Sequence, residues 1–390
     1  MISLPYVLVG LYKTSQKNNV INICFIASLF TIAEYIKSIL FGGFPWLLIG
    51  HSQNQTIFDS MYPVFGSYAI SYIVVLLSLL VLKSIKERNS LYISIAFLSF
   101  TYYLLAPINQ NNIEQENNLL TYTIYQPNVY PSQSYNPDQH SMIMRKYINM
   151  IDENKSSDLI IFPETILPIP FDERNDYYLY FKSLTSDRST LISGLFTKEQ
   201  KKYYNSMVFF SDDIQIYNKR KLVPFGEYTP WYDSLIKIAG SLRLPLSNLS
   251  HGSKQIENIT IGSIKIIPMI CFESTFPDLI TSNSSNEIIV NISNDAWFGN
   301  TLAPYQHLQI TQIRALEFNR YILRATNTGI SAVIDNKGHI VDHIEHDVEG
   351  TMRGAIPTKM NRSFYSEYGD IVILMLIFFS LISRGLIRVT

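Results

Sequence analysis

Apolar positions follow two different patterns along this chain. Long, largely apolar runs extend from Val20 to about Phe41, from about Tyr62 to Leu82 and from about Ser90 to Ile108, with a last run at Ile371 to Ile382. The first three approach the length needed to cross a hydrocarbon core of roughly 30 Å, and all four read as membrane spans. Between Asn109 and Tyr368 the pattern changes to short apolar runs alternating with stretches of helical period. Strands are expected at Leu119–Tyr125, Leu159–Phe162, Thr190–Leu195, Met207–Phe210, Ile214–Lys219, Ile259–Cys271 and Glu287–Ile292. Helices are expected at His140–Ile151, where Met142, Ile143, Tyr147, Ile148 and Ile151 share one side, at Tyr177–Leu184 and at Tyr305–Tyr321, before a hairpin-like run at Ser331–Val341. This alternation predicts an α/β layered domain, and about 250 residues suffice to bury a core of its own. The expected organisation is a membrane bundle at 1–108, a catalytic domain at 109–368 and a C-terminal span at 369–390.

Charge orients the spans. Lys13 and Lys17 precede the first run, Lys83, Lys86 and Arg88 lie between the second and third, and Arg384 and Arg388 follow the last. Placing every basic cluster in the cytoplasm requires about four spans and leaves the α/β domain outside. Met1 to Tyr12 have neither the basic start nor the small-residue cleavage site of a signal peptide. The net charge is −1 and no basic stripe is present, which excludes a nucleic-acid partner on electrostatic grounds. Hydrophobic residues make up 47% of the chain, fitting spans joined to a soluble domain. Within the first span Glu34 and Lys37 lie three apart on one helix face. Charges at that depth are expensive and are expected to face a bundle interior or a cavity. Gly43-Phe44-Pro45-Trp46 then breaks the helix and offers an aromatic suited to a membrane interface.

There are two cysteines, too few for a disulfide framework. Cys24 sits inside an apolar run, whereas Cys271 ends the strand Ile266-Ile267-Pro268-Met269-Ile270. Free cysteines are more often inert core residues. The carboxyl edge of a parallel sheet, however, is where α/β proteins gather reactive groups. Two other strand ends deliver Glu164 and Lys219 in the same way. A thiol needs a base or a nearby cation to act as a nucleophile, and an ammonium in a dry pocket stabilises the oxyanion formed by attack on a carbonyl. Glu164 suits the first role and Lys219 the second. No G-x-S-x-G, Walker loop or G-x-G-x-x-G is present. His339, His343 and His346 lie in a polar turn region without a supporting ligand set, so no metal or other cofactor is expected.

Several stretches together resemble the apolipoprotein N-acyltransferases, membrane members of the nitrilase (carbon-nitrogen hydrolase) superfamily. They are Phe162-Pro163-Glu164-Thr165, Tyr217 to Tyr228 with its Pro224-Phe225-Gly226-Glu227 core, Ile270-Cys271-Phe272-Glu273 and Asn291 to Gly299. Glu34, Gly43 to Trp46, Tyr204-Asn205-Ser206 and the stretch from Gln306 through Arg314-Ala315-Leu316-Glu317 to Asn327 extend the likeness over nearly the whole chain. The resemblance implies an αββα sandwich with a Glu-Lys-Cys triad, here Glu164, Lys219 and Cys271, supported by Glu227 and Glu273. It implies transfer of a fatty acyl chain from a phospholipid, through a cysteine thioester, to the α-amino group of a diacylglyceryl-modified lipoprotein at the bacterial inner membrane, on its periplasmic side. Glu34, Trp46, Tyr135 and Phe272 are candidates for substrate access. Phe272 stands where the family usually has tyrosine, and Tyr135 is the nearest match to a usual tryptophan. The family usually has eight spans, so a separate polypeptide or a longer start supplying further spans is expected, and the Glu34–Lys37 pair is expected to be less well enclosed without them. Two other readings fit the residues: a membrane-tethered amidase of the same fold, and a non-catalytic lipid-binding homologue.

Overall fold

The computed structural model describes residues 3–11, 20–88, 119–166, 171, 176–185, 189–229, 248–253, 259–281 and 287–389. The chain separates into two compact units, one of Met1–Asn112, Leu316–Asn319 and Asn361–Thr390, the other of Ile113–Ala315 and Arg320–Met360.

The second unit is built from β1 (Leu119–Gln126), β2 (Leu159–Ile161), β3 (Thr190–Glu199), β4 (Lys202–Phe210), β5 (Gln215–Asn218), β6 (Ile259–Ile261), β7 (Ile264–Ile270), β8 (Ile288–Ser293), β9 (Ile322–Thr326), β10 (Ser331–Ile334), β11 (Ile340–Ile344) and β12 (Gly350–Pro357). They form two six-stranded sheets, in the orders β12-β1-β2-β3-β4-β5 and β11-β10-β9-β8-β7-β6. Each sheet has a parallel centre, β1-β2-β3 in one and β7-β8-β9 in the other, flanked by antiparallel strands. Strand alternation explains the layering. In β2, Leu159 and Ile161 join the inner core with Ile124, Ile192 and Phe209, against Ile266, Val290, Ile292 and Leu323 of the other sheet. Ile160 points the opposite way, into an outer layer with Tyr147 and Ile151 of the helix Pro137–Glu153 and Phe181 of the helix Asp176–Leu184. The helix Ala303–Phe318 covers the second sheet, where its Thr311 and His307 meet Arg324 of β9. This is the expected αββα sandwich.

Three elements differ from the expectation. Ile259 to Cys271 is not one strand: it turns over Gly262-Ser263, with Gly262 at φ +57°, so that β6 and β7 form a tight hairpin. That hairpin also accommodates Pro268 inside β7. The short β6 pairs only as far as Ile266, so Pro268 has a strand neighbour on the β8 side alone and its missing N–H interrupts no ladder. The helix expected to reach Tyr321 ends at Phe318, and Ile322–Thr326 is a strand that the charge of Arg324 disguised. Strand β12 carries glycine and arginine on a half-exposed surface, which hid its period.

In the first unit the helices Val20–Lys37 and Tyr62–Glu87 correspond to the first two expected spans. Both pass the length and hydropathy requirement for a membrane crossing, the second from Asp59 with its preceding turn, and Ile371–Ser383 is a shorter apolar stretch of the helix Ile371–Val389. The expected span at 90–108 lies outside the described residues. The first helix stops at Lys37 rather than Phe41, and beyond it Phe41, Gly42 and Gly43 all take positive φ. The following loop folds back over the charged pair: the Lys37 ammonium donates to the Trp46 carbonyl at 2.9 Å, and the Ile49 amide donates to Glu34 at 2.8 Å. Glu34 is 0% exposed and Lys37 6%. The expected poor enclosure is therefore corrected, since this loop supplies the cover.

Candidate active site

Three strands of the sandwich end at one cluster. Glu164 follows β2, Lys219 follows β5 and Cys271 follows β7. The turn that carries Glu164 is anchored by Phe162, whose ring packs at 4.8 Å from Tyr147 and 6.0 Å from Tyr125. Its other support is Gly194 of β3. A Cβ there would come within 2.4 Å of the Glu164 Cα, so only glycine lets the two backbones approach this closely.

Glu164 and Lys219 are buried and paired. The Lys219 ammonium donates to Glu164 Oε1 at 3.2 Å and to Glu227 Oε1 at 2.9 Å. Asn205 of β4 donates its side-chain amide to the same two carboxylates, each at 2.7 Å. Glu164 Oε2 accepts from the Asn294 backbone amide at 2.8 Å. Glu227 reaches the cluster from the Pro224-Phe225-Gly226 turn, which it closes by accepting from the Val223 amide at 2.8 Å. Burial alone would lower the Lys219 pKa, but the charges of Glu164 and Glu227 more than reverse this and hold it well above the ordinary lysine value. Lys219 is thus a cation. An ammonium has three N–H donors, and the two carboxylates occupy two of them.

Cys271 takes the left-handed conformation, φ +51°, at the start of a short 3₁₀ turn, Cys271–Thr275. Burial pushes its thiol up and the Glu164 charge pushes it further, against the opposing pull of Lys219. The resting nucleophile candidate is therefore a neutral thiol, and its activation requires a proton acceptor. Glu273 fixes the turn. Its Oε1 accepts from the Tyr217 hydroxyl at 2.9 Å and from the Arg220 and Lys221 amides at 2.6 and 3.1 Å, and its Oε2 accepts from the Ile270 amide at 2.8 Å. One buried carboxylate thereby ties the segment after Lys219 to the segment before Cys271.

The structure thus brings Glu164, Lys219, Cys271, Glu227 and Glu273 together. Phe272 is buried and packs edge-on against Phe276 at 5.1 Å, whereas Tyr135 is exposed. Glu34 and Trp46 lie in the other unit, where the Trp46 ring is buried and stacked on Phe44. Sequence reading assigned no role to Asn205, Asp295, His307 or Arg324, although all four fall inside the motif stretches. Sγ of Cys271, a carboxylate oxygen of Asp295 and a ring nitrogen of His307 lie within 4.8 Å of one another. Asp295 and His307 already bind each other and Arg324, so this group is a hydrogen-bonded network and not a cation site.

Residues 123–365 match the family described as carbon-nitrogen hydrolase, and residues 1–80 match the apolipoprotein N-acyltransferase N-terminal domain. A curated apolipoprotein N-acyltransferase from Nitrosomonas europaea is 30% identical over 377 residues, covering 93% of this chain and 74% of that protein. One from Shewanella oneidensis is 26% identical over 373 residues, covering 91% and 72%. Among solved structures, a carbon-nitrogen hydrolase superfamily protein from Xanthomonas campestris superposes with a TM-score of 0.47 at 14% identity, covering 61% of this chain and 91% of that one.

Proposed function

This chain belongs to the apolipoprotein N-acyltransferase family of the carbon-nitrogen hydrolases, and we propose that Glu164, Lys219 and Cys271 are the residues with which it transfers a fatty acyl chain. The observation that carries the reading is the convergence of a buried carboxylate, a buried ammonium and a strained cysteine from three strand ends. In the first half-reaction Glu164 takes the thiol proton as Sγ attacks an ester carbonyl of a phospholipid. The oxyanion is met by the third N–H of Lys219, the one that neither carboxylate uses. Collapse breaks the ester C–O bond, the lysophospholipid leaves with the proton from Glu164, and Cys271 holds the acyl group as a thioester.

In the second half-reaction the α-amino group of a diacylglyceryl-modified cysteine attacks the thioester carbonyl. Glu164 now accepts a proton from the amine, the C–S bond breaks, and the proton returns to the thiolate. Glu227 and Asn205 hold Lys219 and Glu164 in register, and Glu273 holds the cysteine turn. No cofactor is needed for either step. The acyl donor is a membrane lipid, so the apolar helices serve to keep the catalytic unit at the bilayer. The basic clusters support four spans, with 109–368 on the periplasmic side of the inner membrane.

The direct test is mass spectrometry of the protein after incubation with phospholipid. A hydroxylamine-sensitive acyl adduct is expected on Cys271, with loss of both adduct and transfer in Cys271→Ala. Transfer that survives in Cys271→Ala overturns the assignment.

A further inference from the structure

Behind Cys271 lies a buried polar network that no step of this reaction uses. His307, Asp295, Arg324 and Asn291 are each at most 0% exposed. Nε2 of His307 lies 2.9 Å from Ser274 Oγ and 3.1 Å from the Cys271 carbonyl oxygen. Nδ1 lies 3.1 Å from Asp295 Oδ1 and 3.1 Å from Arg324 Nη2. A carbonyl oxygen only accepts, so Nε2 carries a hydrogen and donates it to Cys271. At Nδ1 the two partners make opposite demands, since the Asp295 carboxylate only accepts and the Arg324 guanidinium only donates. Asp295 has further partners: its Oδ1 accepts from Ser293 Oγ at 2.7 Å and its Oδ2 from Arg324 at 2.8 Å. Burial, assisted by the Arg324 charge, lowers the His307 pKa from its ordinary value against the pull of Asp295.

We propose that His307, protonated on Nε2, is a positioning residue for the nucleophile, holding the Cys271 carbonyl so that the left-handed turn keeps Sγ aimed at Glu164 and Lys219. The inference rests on the reading of Cys271 as the nucleophile. A non-glycine residue at φ +51° persists only where its surroundings over-determine it. Glu273 holds the Ile270 amide ahead of the turn, and His307 holds the carbonyl of Cys271 itself. Arg324 and Asp295 act one step further back. Asn291 of β8 accepts from Arg324 and Gly329 lies against Asp295, where a Cβ would come within 2.5 Å of Oδ2, so the network has no room to rearrange. With its Nε2 hydrogen on the carbonyl and its Nδ1 occupied by Asp295 and Arg324, the ring offers the thiol no base, which leaves that role to Glu164.

Two full-length variants separate positioning from bulk. His307→Gln keeps a donor near the Nε2 position, and His307→Leu fills the space without one. The readouts are the rate constant for alkylation of Cys271 by iodoacetamide, the kcat and KM of acyl transfer, and the unfolding temperature. In a folded His307→Leu, alkylation and kcat are expected to fall on the order of 10²-fold with KM unchanged, while His307→Gln recovers to within about tenfold of the native rates. Native rates in folded His307→Leu, or equal losses in both variants, overturn the proposal. If His307→Leu does not fold, nitrogen NMR of the histidine-labelled native chain decides, with His307→Gln to assign the signal: a protonated Nε2 supports the proposal, and a bare Nε2 overturns it. Cys271→Ala tests the nucleophile separately, because transfer surviving there removes the underlying reading, while alkylation in the His307 variants reports on the turn alone.

Discussion

At the level of single residues, Glu164 and Lys219 act on the Cys271 thiol with opposite sign. Burial is the largest influence raising it, the Glu164 charge adds to that, and Lys219 opposes both. Removing Glu164 as Glu164→Gln deletes a raising influence, so at fixed pH the thiolate fraction grows and alkylation by iodoacetamide becomes faster than in the native protein. Lys219→Met deletes the lowering influence and makes alkylation slower. Acyl transfer falls in both, on the order of 10²–10⁴-fold where the lost group moves a proton, and only Glu164→Gln is partly relieved as pH rises. Alkylation rates across the pH range above neutrality check this, and a shift of the same sign in both variants removes the assigned roles. The three residues were legible in the sequence because each ends an apolar strand. Asn205 was not, since nothing in Tyr204-Asn205-Ser206 reveals that one amide bridges two carboxylates. Arg324, past the expected helix end at Tyr321, carried no assigned role, yet it is 0% exposed because Asp295, Asn291 and Thr311 receive its donors.

At the level of elements, the site depends on where strands and turns approach. Glu273→Gln leaves one acceptor oxygen where a carboxylate served three backbone amides and the Tyr217 hydroxyl. A buried donor left unpaired costs about 1–3 kcal/mol, so a lower unfolding temperature is expected together with slower alkylation of Cys271. Unchanged values for both would mean that the turn holds itself. Asp295 ties β8 to β9 and to the helix Ala303–Phe318. Burial alone would raise its pKa, but Arg324 and His307 outweigh burial and lower it below the ordinary carboxylate value. A group with a depressed folded pKa stabilises the fold above its unfolded pKa, about 3.9 for aspartate, and that contribution is lost as pH falls through the lower folded value. Asp295→Asn, which leaves Arg324 buried without its counter-charge, is expected to cost about 3–5 kcal/mol near neutral pH. The gap to the native protein should narrow on acidification, and denaturant titrations at several pH values measure it. Period revealed most strands because their inner faces are apolar. It failed where a two-residue turn divided β6 from β7, and where buried Arg324 in β9 or the glycines and arginine of β12 broke the alternation. The helix Pro137–Glu153 begins before His140 because Asn136 caps it, its side chain accepting from the Asp138 amide at 3.1 Å.

At the level of the whole molecule, hydropathy located the apolar helices before any coordinates, while fold class came from alternation along the sandwich strands. What hydropathy alone did not convey is how the charged pair survives among apolar helices. Burial of Glu34 requires the loop after Gly43 to return and present the Ile49 amide, a tertiary arrangement with no periodic signal. Our reading places about four spans, with both termini of the catalytic stretch on the same side. The helices Val20–Lys37 and Tyr62–Glu87 carry the first two, and the basic residues Lys83, Lys86 and Arg88 follow directly. Positive charge near span ends is retained in the cytoplasm, so Arg88 and Thr390 are expected there, and Asn109 and Tyr368 in the periplasm. A reporter that is active only in the periplasm, fused after Thr390, should be silent, and the same reporter fused after Asn109 should be active. Cysteines placed at Asn109 and Tyr368 in a Cys24→Ser, Cys271→Ser background should be labelled from outside intact spheroplasts, whereas one at Arg88 should be labelled only after permeabilisation. Labelling of Arg88 from outside, or activity of the Thr390 fusion, would mean that the span count is wrong, whereas Asn109 and Tyr368 labelled only after permeabilisation would place the catalytic stretch in the cytoplasm, away from the outer-leaflet lipid and lipoprotein on which the proposed reaction depends.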